Sequence, residues 1–477
     1  PQAATCARVR AAREVPPILA LDPRPRAPRI FAVQFKQDLH NVTTYARFRA
    51  KIRCLIREYV LPHLARGRPN LVVFNEDVGL MTLAIGTRGA AARRAFGGRG
   101  SPSCQGEGEP CGTLAALAAV SAAYSPQIAA YQERFHGRIG PLVGAFVGAT
   151  DTTVRAFAQT FSRLALRYHF YLVGSMDLPP FRQSSSRADI ALFHDPDRPP
   201  PRFVYVATSP RVHNEVFMWG PHDVRHRGPG VLRNLVASNL KVPLTPLERQ
   251  IGFTPGPARG RAAVANLHPY RLPGTRVRIG FATSLPAFQY GPLRPGQNPC
   301  SNVSVQYMRC LNRLGANLVL QDEANPGEWT GPDGSSKEQW QPLSWMLSTY
   351  RAVSDPSVHF DYNVTAMMVG NLADLPFDGQ TAITQRGLRG RGCHYIGNGR
   401  WVAGQDLPSL RRYAGPQKDF LAIAPWVVSD RSRDRLRAVG NALAPGSGQP
   451  LQNDYVETAI VADLPVPVDP RREGCVG

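Results

Sequence analysis

Apolar and polar positions along the chain switch between a two-residue and a helical period. RIFAVQF, from Arg29 to Phe35, is a short β-prone run, and TYARFRAKIRCLIREYVLPHLA after it carries apolar residues at helical spacing. PNLVVFNED follows as a buried strand whose polar end marks the edge of a sheet, which completes a β-α-β opening. From about residue 80 to 148 the order breaks into a Gly/Arg-rich loop and two helices, over 113–123 and 126–135, and reads as an insertion. It resumes with the helix DTTVRAFAQTFSRLALRYH, the strand FYLVGSM, and RFVYVAT with NEVFMWG as a hairpin. Later elements are the strand RVRIGFATS, the helix VSVQYMRCLNRLG, the strand ANLVLQDE, the helix WQPLSWMLSTYRAV and the strand VTAMMVGN. The Pro/Gly-rich tail after Ala444 is expected to wrap the surface. Periodicity alone gives an α/β protein with mixed sheets and no internal repeat. The expected division is an N-terminal extension over 1–28, one domain over 29–444 containing the insertion, and a tail over 445–477.

Composition narrows this picture. With 477 residues, 43% of them apolar, the chain can bury a large core. A net charge of +21 would ordinarily point to a polyanion. Here lysine occurs only at Lys36, Lys51, Lys241, Lys337 and Lys418, the rest is arginine in an Ala/Gly/Pro-rich chain, and no aromatic-interleaved basic run accompanies it. Nucleic acid is therefore not the favoured partner. The eight cysteines lack paired C-x-x-C spacing, which argues against a zinc or redox site, and their even number permits four disulfides. Cys104 and Cys111 flank a Gly/Glu/Pro-rich loop that a short bridge would restrain. The start at Pro1 implies a removed leader, no apolar span approaches transmembrane length, and a secreted or periplasmic protein fits best. Sequons at Asn41, Asn302 and Asn363 read equally as chance or as glycosylation sites.

Three residues carry the chemistry: Glu76 ending an apolar strand, Lys241 opening KVPLTPLE, and Ser284 ending RIGFATS. Gln34 at a first strand end, the Leu-Gly-Ala-Asn step at Leu314 to Asn317, and FDGQTAI from Phe377 to Ile383 are further landmarks. In order and spacing this set resembles the nitrilase (carbon–nitrogen hydrolase) superfamily over most of residues 29–428, the insertion apart. The resemblance implies an α-β-β-α sandwich, commonly paired into a homodimer, with no cofactor and no metal.

It also implies roles. Amide hydrolysis through a covalent intermediate needs a nucleophile, a proton acceptor and an oxyanion donor. Glu76 matches the family's general base, although a carboxylate at a strand end is often only a solvated turn residue. Lys241 matches the lysine that holds the oxyanion, and Glu248, in the pattern K-x-x-L-x-x-x-E, the second glutamate that positions substrate and lysine. The backbone N–H of Leu285 would complete the oxyanion hole. Ser284 departs from the family, whose nucleophile is cysteine. A thiol with a pKa of about 8.5 is ionised readily beside a lysine, whereas an alcohol is far less acidic. The serine leaves three readings open: an engineered replacement, a natural non-hydrolytic or serine-based relative, or a shifted register.

Rival sites are weaker. Cys300 and Cys310 look structural. No G-x-S-x-G surrounds Ser284, and Pro286 argues against an immediate helix. His222 and His226 sit in a loop sequence, GPHDVRHRGPG, with no third ligand. For the substrate, Glu323, Asn325 and Trp329 fall in the region that often lines the family's pocket, the loop after Trp219 would cover it, and the insertion would form its rim. The arginine-rich surface leans towards an anionic or envelope-linked substrate. The expected function is a secreted amidase-like hydrolase of small or envelope-linked amides, disabled or trapped by serine. A non-catalytic binding relative and a nitrilase or acyltransferase using the same site remain alternatives.

Overall fold

The computed structural model describes residues 2–22, 24, 26–97, 111–325, 341–372, 375–377, 379–389, 419–425 and 455–474. In the first sheet β1 (Arg29–Lys36), β2 (Asn70–Val73), β3 (Tyr171–Leu178), β4 (His213–Trp219) and β5 (Leu235–Leu240) lie side by side. The first three run parallel; β4 and β5 each reverse direction. The second sheet repeats this arrangement. Its β6 (Arg278–Phe281), β7 (Leu318–Glu323) and β8 (Tyr362–Leu372) are parallel, and β9 (Ala382–Gln385) and β10 (Phe420–Ile423) are antiparallel. The sheets join where Met368 and Val369 of β8 pair with Phe35 and Lys36 of β1.

Alternation along the strands explains the layers, because successive side chains of a strand point to opposite faces. Leu71 and Val73 of β2, Val173 of β3, and Val216 and Met218 of β4 share one core with Ile279 and Phe281 of β6, Leu318 and Leu320 of β7, and Val364 of β8. The two sheets therefore pack face to face. Val72, Phe74, Leu172 and Phe217 point the other way and pack on Phe48 and Ile52 of helix Tyr45–Leu55 and Phe161 and Leu164 of helix Gln159–Tyr168. Behind the second sheet, Ala282 and Val319 pack on Tyr307 and Leu311 of helix Val303–Arg313 and Ala352 of helix Gln341–Ser354. The result is the expected α-β-β-α sandwich. Each fully buried aliphatic or aromatic side chain in these layers contributes about 1.5–3 kcal/mol.

Several expectations need correction. RFVYVAT and NEVFMWG are not a hairpin: Val204–Ala207 pairs with Phe181–Ser184 in a separate ribbon, while NEVFMWG lies within β4 between β3 and β5. NEVFMWG is apolar on both faces, Val216 and Met218 inward and Phe217 and Trp219 outward, so it needs neighbours on both sides. The tail does not merely wrap the surface. Within it, β11 (Val456–Asp463) is buried along its whole length and pairs antiparallel with β1, and Ile18–Ala20 of the N-terminal extension pairs with it in turn. Asn41 and Asn363 are buried, so neither sequon is open to glycosylation, and Asn302 caps helix Val303–Arg313. Helices Cys111–Ala123 and Ser125–Arg134 fall where expected and, with Tyr124 between them, contribute Val120 and Tyr131 to the core behind the first sheet.

Two disulfides join described residues. Cys6–Cys54 spans 48 residues and Cys300–Cys310 spans 10. Loop-closure entropy makes these worth about 4 and about 3 kcal/mol. Cys104 lies outside the described residues. Among the described residues no single helix is long and apolar enough to cross a membrane, although Gly112–Ala123 and Ser125–Arg134 together, bent by 77°, meet the length and composition of one.

Candidate active site

The inner apolar face gives way to polar residues at one end of the sandwich. On β3, Val173 is followed on the same face by Ser175 and Asp177, and Asn214 at the start of β4 stands opposite Asp177. On the second sheet, Phe281 is followed by Thr283, and Leu320 by Asp322, with Thr283 Oγ1 donating to Asp322 at 2.7 Å. Parallel strands bring their C-terminal ends to a common edge, and β5, twice reversed, brings its own end there as well. Glu76, Lys241 and Ser284 all follow such ends.

Glu76 and Lys241 meet. Lys241 Nζ donates to Glu76 Oε1 at 2.7 Å and lies 3.0 Å from Glu248 Oε1, with all three side chains buried. Asn214 makes the same bridge with a neutral group, its Nδ2 donating to Glu76 Oε1 at 2.7 Å and to Glu248 Oε1 at 2.9 Å. The other oxygen of Glu76 accepts the backbone N–H of Ala324 at 3.0 Å, which ties the first sheet to the end of β7. Lys241 is held in place by its own backbone, whose N–H donates to Asn214 O at 2.9 Å.

A capping box orients Glu248. Thr245 precedes helix Pro246–Ile251; its Oγ1 accepts the Glu248 N–H at 3.3 Å, and Glu248 Oε2 accepts from Thr245 N at 2.7 Å and from Thr245 Oγ1 at 2.8 Å. The carboxylate thus caps its helix with one oxygen and faces Lys241 with the other. Thr245-x-x-Glu248 is a legible helix-start signature in KVPLTPLE, and it is the signal that fixes Glu248's direction.

The electrostatics follow from burial. Burial works to lower the Lys241 ammonium's pKa, yet Glu248 and Glu76 outweigh it and raise the value, keeping the lysine charged. Burial pushes Glu248 up, but Lys241 and the Thr245 N–H pull it below the ordinary glutamate value. Glu76 is raised by burial, with Lys241 opposing and Glu248 reinforcing the rise. Asp322 is pushed up to about 7, first by burial and then by Glu76. Asp77, Asp177 and Glu323 are raised well above their ordinary values, burial again being the main cause.

Ser284 is buried beside β7, its N–H donating to Asp322 O at 3.2 Å. Its backbone is at φ 58°, ψ −120°, which costs a non-glycine residue about 1–3 kcal/mol and persists only where the surroundings impose it. A 3₁₀ turn, Leu285–Phe288, begins at once, with Pro286 in its first positions, where proline's missing N–H costs nothing. No α-helix follows Ser284 directly, in keeping with Pro286; the next α-helix is Val303–Arg313. Leu285 supplies the first N–H of that turn, one of those with no partner inside a helix.

The remaining candidates divide. Glu323 is fully buried at the end of β7, its Oε1 accepting from Gln321 Nε2 at 2.7 Å, while Gln321 also reaches Ser348 of the helix behind the sheet. Asn325 is buried just after Ala324. Trp329 lies outside the described residues. Trp219 is at the far end of β4 from Asn214, its Nε1 donating to Val231 O at 2.8 Å, so the loop after it opens at the opposite edge and does not cover the site. The end of the insertion does approach: Phe146 packs edge-on against Phe253, which directly follows the Glu248 helix and its capping Gly252, with ring centroids 4.9 Å apart. His222 and His226 are exposed, and among the described residues no group of His, Cys, Asp and Glu has the arrangement of a metal site. Cys300 and Cys310 are bonded to each other, which removes both as nucleophiles. Sequence reasoning missed Asn214, Asp77 and Asp177.

No family model and no curated protein matches the chain. Solved structures similar to it are nitrilase-superfamily amidases and carbon–nitrogen hydrolases. One is a variant of the Nesterenkonia AN1 amidase from the nitrilase superfamily, at 13% identity over 76% of this chain and 85% of that one, TM-score 0.35. Another is the amidase from Nesterenkonia sp., at 14% identity over 76% and 84%, TM-score 0.35. A carbon–nitrogen hydrolase from Helicobacter pylori G27 matches at 12% identity over 50% and 62%, TM-score 0.31.

Proposed function

We propose that this chain is a secreted, amidase-like carbon–nitrogen hydrolase whose acyl-transfer site is built from Glu76, Lys241, Glu248 and Ser284. The observation that carries the reading is the buried Glu76–Lys241–Glu248 cluster, bridged by Asn214, at the same sandwich edge as a serine in a strained strand-end conformation. In this reading Glu76, its pKa raised by burial, accepts the proton of the position-284 nucleophile. The nucleophile's bond to the amide carbon forms, the oxyanion is held by Lys241 and the Leu285 N–H, and the C–N bond breaks as the nitrogen takes the proton back from Glu76. Water then cleaves the acyl-enzyme. Lys241 has three N–H bonds, two of which meet Glu76 and Glu248, leaving the third for the oxyanion. Glu323 and Asn325, at the end of β7, would line the pocket together with Trp329. Secretion is supported by the disulfides Cys6–Cys54 and Cys300–Cys310.

Serine makes the first step slow, because a single carboxylate is a weak base for an alcohol. The test is ammonia release from a panel of amides and nitriles by the chain and by Ser284→Cys. Activity that rises with cysteine and vanishes on adding Glu76→Gln supports the reading; equal activity of serine and cysteine forms would refute this account of the nucleophile. Ser284 itself favours a second reading, a ligand-binding relative without turnover. Amide binding by the chain together with silence from Ser284→Cys would select it.

A further inference from the structure

The acyl-transfer cluster stands among buried acids whose oxygens lack donors among the described residues, and that shortage defines what the site accepts. Around Lys241 stand six carboxyl groups: Glu76, Asp77, Asp177, Glu248, Asp322 and Glu323. Two of the three Lys241 N–H bonds and the two hydrogens of Asn214 Nδ2 are committed to Glu76 and Glu248. Among the described residues, Asp77 and Asp177 then have no donor for their Oδ1 atoms, both of which are buried. They are neighbours around Ser175: its Oγ accepts the Asp77 N–H at 2.6 Å, and Asp177 follows two residues on along the same face of β3. Asp177 is 2% exposed and stands opposite Asn214, which bonds Glu76 and Glu248, so its carboxyl lies on the face that holds the site.

The rest of the fold treats buried acids differently. Asp151 is paired with Arg155, Asp189 with Arg134, Glu457 with Lys51 and Asp463 with Arg29, while Asp195 accepts from Tyr45 and Thr152. A chain this rich in arginine supplies a cation or a hydroxyl to each of them, yet leaves the Asp77–Asp177 pair open beside the catalytic cluster. Buried acids held protonated still leave these acceptor oxygens unsatisfied, which costs stability until a donor arrives.

Resting on the acyl-transfer reading, we infer that the substrate is an amide carrying a positive group, an alkylammonium or a guanidinium, and that Asp177 and Asp77 form the subsite that holds it. This opposes the lean of the overall charge, which would favour anions: the unpartnered acceptor oxygens suit a cationic donor, whose arrival would draw the two acids into their ionised form. The half-buried Asp77 is the member of the pair nearer solvent.

The test is calorimetric binding of three probes to the unmodified chain: 6-aminohexanamide, its neutral isostere heptanamide, and the anionic adipamic acid. The ammonium probe is expected to bind about tenfold or more tightly than heptanamide, a difference of about 1.4 kcal/mol, with adipamic acid weakest. Asp177→Asn should bring the two neutral-or-cationic probes to near equality. If that variant does not fold, Asp77→Asn and the comparison on the unmodified chain still decide. Equal, weaker or unmeasurable binding of the ammonium probe overturns the inference. Ammonia release from heptanamide by Ser284→Cys is read separately, so the acyl-transfer reading can survive that result.

Discussion

Replacing Lys241 by methionine tests whether the cluster is an integrated ionic unit. The side chain is 3% exposed and sits 2.7 Å from one carboxylate and 3.0 Å from another. Removing it strands two buried acids, and breaking a buried ion pair from one side costs about 3–5 kcal/mol. Most of a typical domain's net stability is only about 5–15 kcal/mol, so the loss would be plain in urea unfolding. Its pH dependence has a definite sign. Without the lysine, burial raises the folded pKa values of Glu76 and Glu248 above their unfolded ones, so the folded state binds more protons between those values and gains stability as pH falls. The deficit is therefore largest near pH 8 and shrinks towards pH 5. Adding Glu76→Gln to Lys241→Met removes one stranded charge, so the double variant should be more stable than the sum of the two single losses predicts. A loss below about 1 kcal/mol, or strict additivity, would refute the view that these three groups are coupled in a dry site.

Ser284→Gly should raise stability by about 1 kcal/mol, because the strain at φ 58° outweighs glycine's extra chain entropy; a fall in urea midpoint would mean the serine is not strained there. Thr245→Ala should cost about 1 kcal/mol through the lost cap, and in the Ser284→Cys background it should also raise KM, since Glu248 loses its hold; an unchanged melting temperature would contradict the capping box. Asp322, pushed up to about 7, stays protonated in the fold at pH values where the unfolded chain has ionised, so stability falls as pH rises from about 4 to about 7. Asp322→Asn should flatten that slope in pH-dependent denaturant melts, and an unaltered slope would assign the titration elsewhere.

Much of this was legible because it is local. The strand runs around Glu76 and Ser284, the helices between them and the glycine step after helix Val303–Arg313 are written in short-range periodicity, and each element appears where that pattern put it. The pattern was silent on partners. NEVFMWG reads as a strand in isolation, but only its two-sided burial decides that it lies between β3 and β5 and not against RFVYVAT. Likewise nothing in the Pro/Gly-rich context of the tail announces that β11 pairs with β1, some 400 residues earlier.

The candidate site divides along the same line. Glu76, Lys241, Glu248 and Ser284 were singled out by the resemblance of their order and context to the nitrilase superfamily, since a carboxylate or lysine after a strand is by itself unspecific. That Lys241 reaches both carboxylates, that Asn214 duplicates the bridge, and that Asp77 and Asp177 are left unpaired depend on β2, β3, β4 and β5 presenting their ends at one edge. Residues separated by 34 to 165 positions become hydrogen-bonded neighbours there. Sequence determined which groups were available; strand pairing decided which of them share a buried, low-dielectric space, where separation in ångströms, not along the chain, sets the interaction.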